Sequence, residues 1–198
     1  MIRFLLLITL FGSASVLGCA FGSVFNISSN SVDEEDNIIS NSSFENIDFE
    51  AQKLPASWYI LSERDDLIIL DSSVCHTGNS SIMVKSPETE ITLVSAAFEI
   101  DPTCIYYSRC FVRSDDRSTQ PLTLYLFAFD IAGNPVNTFS RKIFPTENWA
   151  KLDFTSAFFK SSAKVGRIAI NIPEKENVSF WIDDAESYRM HRFAFSQE

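Results

Sequence analysis

Carboxylates at the two ends of one region are the residues of this chain best placed to do chemistry. Glu45 closes the run Asn41-Ser42-Ser43-Phe44-Glu45, and Asp183-Asp184 sits far downstream in Trp181-Ile182-Asp183-Asp184-Ala185. A fold that lays its first and last strands side by side would bring these acids together. Two carboxylates cannot be buried together cheaply without a cation, the alternative being that both sit exposed at strand ends. Between them lies His76-Thr77-Gly78-Asn79-Ser80-Ser81, a turn sequence leading into a strand. His76 is expected to pack and to hydrogen-bond that turn. The only other histidine, His191, lies near the C-terminus, so two such positions support no nucleophile–His–acid triad. Asn46-Ile47-Asp48-Phe49-Glu50 imitates the alternating acids of a retaining glycosidase strand. It has Asn46 where the nucleophile should be, and Glu45 is out of phase by one residue, pointing to the other face. Catalysis is therefore not expected.

The elements that must position these residues are strands. Ile82–Val84, Ile91–Ile100, Tyr106–Arg113, Leu122–Phe129, Lys151–Phe154, Arg167–Ile172 and Ser179–Asp183 are short, β-prone runs. Turn signals bound them, among them Gly78-Asn79, Asp101-Pro102, Gly133-Asn134-Pro135 and Ile172-Pro173. No helical periodicity of useful length intervenes. Strands at this spacing predict an all-β, antiparallel two-sheet sandwich. About 150 residues suffice for one core.

The ends read differently. Residues 1–18 have the form of an export signal, with Arg3 before the apolar run Phe4 to Phe11 and small residues from Gly12 to Ser15. The run is short for a membrane span, which needs about 20 residues. Val16-Leu17-Gly18-Cys19 resembles a bacterial lipoprotein signal, which implies lipidation of Cys19; plain cleavage near Ala20 or Gly22 is the alternative. Residues 19–37 are rich in Ser and Asn, then acidic, and read as a flexible linker. The domain is expected over 38–190, with a tail at 191–198.

Composition narrows the partners. The net charge is −10 and there is no basic run, which argues against nucleic acid. Three cysteines remain in the domain. Cys104 and Cys110 on one extended strand would be about 20 Å apart, beyond the ~7 Å that a disulfide allows. Cys75 with either, or three free thiols, stay open.

Seven motifs, in order, cover nearly the whole domain: Asn41-Ser-Ser-Phe44-Glu45; Leu54-Pro55-Ala-Ser-Trp58; Asp71 through Ser81 with its His-x-Gly-x-x-Ser; Tyr106 to Arg113; Asp130-Ile-Ala-Gly133; Asn148-Trp149; and Trp181-Ile-Asp183-Asp184. This series resembles the carbohydrate-binding modules of families 4, 9 and 22, galactose-binding-like jelly rolls often found beside cellulases and xylanases. Ser42-Ser43 departs from the usual Gly of the first motif. The resemblance implies a jelly-roll fold, a polysaccharide ligand, and a structural calcium. The side chains of Glu45 and Asp183 and backbone oxygens near Ser43 and Asn79 would hold that ion, calcium being a hard cation that takes six to eight oxygens.

Sugar rings stack on flat aromatic faces that also carry a polar edge. Trp58, Tyr59, Tyr107, Tyr125 and Phe127 are the candidates. Leu122–Phe129 is apolar on both faces, so Tyr125 and Phe127 either pack or meet a ligand; in a chain with 18 Phe, packing is the simpler account. The leading expectation is a non-catalytic polysaccharide-binding module, exported and displayed at the cell surface or secreted, touching membrane only through a lipid anchor. The alternative is a structural or assembly lipoprotein whose jelly roll contacts another protein.

Overall fold

Strand residues with apolar side chains at alternate positions form nearly all of the regular structure. The computed structural model describes residues 36–48, 54–62, 64–117 and 120–192. The export signal, Cys19 and most of the linker lie outside the described residues. In chain order the strands are β1 (Ile47–Asp48), β2 (Leu54–Pro55), β3 (Trp58–Leu61), β4 (Ile68–Asp71), β5 (Ser81–Val84), β6 (Ile91–Ser95) and β7 (Phe98–Glu99). They continue as β8 (Cys104–Ser114), β9 (Leu122–Phe129), β10 (Pro135–Ile143), β11 (Ala150–Ser156), β12 (Val165–Ile172) and β13 (Phe180–Arg192). One short 3-10 turn, Asp65–Leu67, precedes β4.

Two large antiparallel sheets result, beside a small two-stranded one of β1 and β2. The first runs β10-β9-β12-β6-β3, with β7 pairing beside β12; the second runs β11-β8-β13-β5-β4. This is the expected all-β sandwich. The inward faces meet in one core that includes Leu122, Leu124, Leu126, Ile168 and Ile170 from the first sheet and Cys110, Val112, Phe180 and Ile182 from the second. Leu122, Leu124, Leu126 and Ala128 are fully buried, while Tyr125, Phe127 and Phe129 on the other side of β9 are only half-buried. The strand that is apolar on both faces thus has one face in the core and one outside it.

The ends of the domain do lie together. Asn37 bridges Tyr188, the Ile38 N–H donates to the Ser187 carbonyl at 2.9 Å, and the Ala185 N–H donates to the Ser42 carbonyl at 2.8 Å. Asn37, one residue before the predicted boundary, thus already pairs with the sandwich, and β13 runs to Arg192, two residues into the predicted tail. In β13, Asp183 pairs with Phe111 and Glu186 with Arg109, so Asp184 and Ala185 form a bulge opposite Cys110. Asp184 takes a φ of +46°, a left-handed conformation that aspartate tolerates better than most residues. Cys75, Cys104 and Cys110 are free thiols, Cys104 and Cys110 both buried in β8.

Candidate functional site

Two places gather the residues that could act: the turn gripped by the end carboxylates, and the outer face of the first sheet.

At the turn, both acids point at backbone N–H groups. Asp183 Oδ2 accepts from the N–H of His76 at 2.8 Å and of Thr77 at 3.2 Å, and its Oδ1 accepts from the Asp184 N–H at 2.8 Å. Glu45 Oε1 accepts from the N–H of Asn79 at 2.8 Å and of Ser80 at 3.0 Å. The β13 bulge turns Asp184 toward the same turn, where it bonds His76 Nδ1 at 2.6 Å and the Thr77 hydroxyl at 2.7 Å. His76 stacks on Phe111, ring centroids 3.6 Å apart, as a packing and turn-holding residue. Gly78 has φ +62°, and a Cβ there would lie 2.3 Å from Glu45 Oε1, so the grip requires glycine.

The two carboxyls titrate in opposite directions. Desolvation pushes Glu45 up, but the hydrogen bonds from Asn79 and Ser80 outweigh it and hold the carboxyl below its ordinary value. Burial and the neighbouring Asp184 charge push Asp183 up to about 6, against the N–H bonds it accepts. Among the described residues no three Asp, Glu, His or Cys converge as a metal cluster. A calcium set of two carboxylates completed by carbonyls needs no such trio. Glu45 Oε2, with only a 3.5 Å contact to the Asn79 amide, is the oxygen most open to a hard cation, while both Asp183 oxygens already accept N–H bonds. Glu45, Asp183 and Asn79 meet at this turn, and Ser43 follows Ser42, whose carbonyl accepts from the Ala185 N–H.

The outer face of the first sheet collects three of the five predicted aromatics. Tyr125 and Phe127 stack with ring centroids 5.1 Å apart and 11° between planes, and Phe129 continues the strip at 6.4 Å. Tyr59, on edge strand β3, is 54% exposed. It stands in the same cross-strand row as Tyr125, through Val94 and Ala169. Three strand spacings put these two positions roughly 14 Å apart. The short side chains of Val94 and Ala169 between them leave a floor lower than its aromatic rims. Polar groups line the same face: Asn171 donates to the Thr92 hydroxyl at 3.1 Å, and Arg167 lies opposite Phe127 with its guanidinium 5.6 Å from the Tyr59 ring centroid.

Trp58 and Tyr107 do not belong to this face, which corrects the sequence-based expectation. Trp58 is buried against Phe44 at 5.1 Å, its indole N–H donating to the Asn41 carbonyl. It is one position out of phase with Tyr59, and period two sends it inward. Tyr107 lies on the other sheet, 2% exposed, its hydroxyl donating to Asp153 at 2.8 Å. Arg167, Asn171 and Thr92 were missed. The alternation Val165, Arg167, Ala169, Asn171 against Gly166, Ile168, Ile170, Ile172 would have placed the first two outward.

Similar solved structures agree with this architecture. A family 4 carbohydrate-binding module superposes with a TM-score of 0.54 at 16% identity, over 77% of this chain and 99% of that one. A family 61 module, determined in complex with β-1,4-galactotriose, gives 0.52 at 14% identity over 78% and 99%. The fold is the jelly roll of carbohydrate-binding modules. The enzymatically active domain of tailspike protein 4 from bacteriophage CBA120 gives 0.61 at 14% identity over 80% of this chain, which spans 22% of that chain. No protein-family model matches the sequence, and no curated protein matches it.

Proposed function

We propose that this chain is a non-catalytic polysaccharide-binding module whose binding surface is the outer face of β3, β6, β12, β9 and β10. The observation that carries the proposal is the alignment of Tyr59, Tyr125 and Phe127, half-buried or exposed, over a floor of short side chains. Flat rings in this setting stack on the C–H faces of sugars, and Asn171 and Thr92 offer groups for hydroxyls. The complex of the family 61 module with β-1,4-galactotriose is in keeping with it. A non-catalytic role accords with His76, committed to Asp184 and Phe111, and with carboxylates committed to backbone N–H groups.

A structural calcium at the clamp is part of the proposal. Glu45 and Asp183 would hold it with backbone oxygens of Ser43 and Asn79. The ion would neutralise the Asp183–Asp184 pair and tie the first and last segments to the turn, with no part in chemistry. Export follows from the form of residues 1–18, with Cys19 as lipid anchor; Cys19→Ser should then shift the protein from the membrane to the soluble fraction, and its retention on membranes would refute the anchor. The ligand reading is tested by a glycan array probed with the purified domain. Binding to extended polysaccharides is expected. A blank array beside capture of one defined protein partner would favour the alternative of a protein-contacting assembly module.

A further inference from the structure

The polar centre of the aromatic face is a cation without an acidic partner among the described residues. Arg167 projects from β12 into the row of Phe127, half-buried, its guanidinium over Tyr59. Its Nη1 donates to the Ser95 carbonyl at 2.7 Å. That bond and the Tyr59 ring fix the long side chain in place and leave most of its donor fork uncommitted. Arg109 pairs with Glu186, and Arg64 with Asp66 and Glu88, whereas Arg113 lies over Trp181 with its Nε buried and without a hydrogen-bond partner among the described residues. Among the described residues, Arg167 has no such ion pair. The chain holds 26 acidic residues against 16 basic ones, so acidic partners are not scarce. In the cross-strand rows of this face the cations are Arg167 and Lys142, the latter paired with Thr123. The single carboxylate in those rows, Glu99, stands beside Val165 at one end.

A guanidinium half-withdrawn from water among rings recovers part of its hydration from the ring quadrupole. A carboxylate that meets the planar fork through two parallel bonds recovers much more. A neutral sugar laid over Arg167 would bury the charge without answering it. The net charge of −10 does not oppose an acidic ligand at contact, because repulsion from distant charges is screened beyond about 8 Å at physiological salt. We propose that the ligand of this face is an acidic polysaccharide, with a uronate carboxylate seated on Arg167 and adjoining sugar rings stacked on Tyr125 and Phe127. The inference rests on the binding face proposed above and adds the class of ligand.

The test is calorimetric titration of the domain with oligogalacturonate and β-1,4-oligomannuronate, each beside its carboxyl-reduced form, and with neutral xylo-, cello- and galacto-oligosaccharides. The expected result is that at least one uronate series binds about tenfold or more tightly than its reduced form, the scale of a charge-assisted hydrogen-bond pair. Arg167→Leu should remove that factor, bringing the uronate and its reduced form to similar affinities. Carboxyl reduction needs no variant, so poor folding of Arg167→Leu would not obscure the result. Neutral oligomers binding as tightly as uronates, with Tyr125→Ala weakening them, would overturn the acidic specificity and keep the face. Binding of no oligosaccharide of either class would overturn both.

Discussion

The outer faces of the two sheets are built from the same residue types and differ in what those residues have left to offer. On the second sheet, Tyr107 stacks near Tyr188, Arg109 lies over Tyr188 and pairs with Glu186, and Arg113 lies over Trp181. The Trp181 indole N–H donates to Asp71, and the Tyr107 hydroxyl donates to Asp153. Tyr188 is fully buried and Trp181 is 8% exposed. On the first sheet, Tyr125, Phe127 and Phe129 contact one another along the strand, Tyr59 is open, and Arg167 has no acid beside it among the described residues. Aromatic and arginine content alone would nominate both faces. Burial and hydrogen-bond commitment leave only the first with surface to give to a ligand.

The largest effect is expected on the committed face. Tyr188→Ala should cost roughly 3–5 kcal/mol of stability, as for other large-to-small substitutions of buried rings. Urea denaturation measures it. A loss under about 1 kcal/mol would mean that this face is not built in as described, and the contrast between the sheets would collapse.

An intermediate effect is expected at the clamp beside that face. With chelator present, the elevated Asp183 pKa of about 6 has a definite sign. The folded state binds more protons than the unfolded one between the ordinary carboxyl value and about pH 6. The cost of the buried charge is full above pH 6 and is relieved as the pH falls below it, so through this group melting temperature should rise from pH 7 to pH 5. Calcium should raise the melting temperature at pH 7 by mass action on the native state. Glu45→Ala and Asp183→Ala should each abolish that increment. A wild type whose melting is the same in excess calcium and in chelator would remove calcium from the account.

The smallest effect on stability is expected on the open face. Tyr125→Ala removes a half-exposed ring and should cost about 1 kcal/mol or less, well below the buried Tyr188.

Much of this was legible in the sequence, and each failure has a physical cause. The core strands could be read because both sides of the alternation are marked: Leu122–Phe129 was bounded to the residue, and Asn41–Glu45 and Asp183 met as the motif order implied. Strand β10 was missed because it is an edge strand. Pro135–Ile143 carries Asn137, Thr138, Ser140, Arg141 and Lys142, and an edge marked by charge has little apolar alternation to detect. The second half of β13 was missed because the bulge at Asp184–Ala185 resets the period. Trp58 and Tyr107 were misplaced for another reason: neighbours of opposite facing, such as Trp58 and Tyr59, cannot be sorted before the phase of the strand is known. Arg167 carries no signal in the sequence because a single arginine in a strand has no motif; its meaning comes from having no acidic partner among the described residues.

The most direct test of the open face is a paired measurement on Tyr125→Ala: melting temperature, and affinity for whichever oligosaccharide the wild type binds. Stacking contributes on the order of 1 kcal/mol per ring, so affinity should fall several-fold while the melting temperature stays near that of the wild type. Unchanged affinity in a normally folded Tyr125→Ala would contradict the assignment of this face as the binding surface.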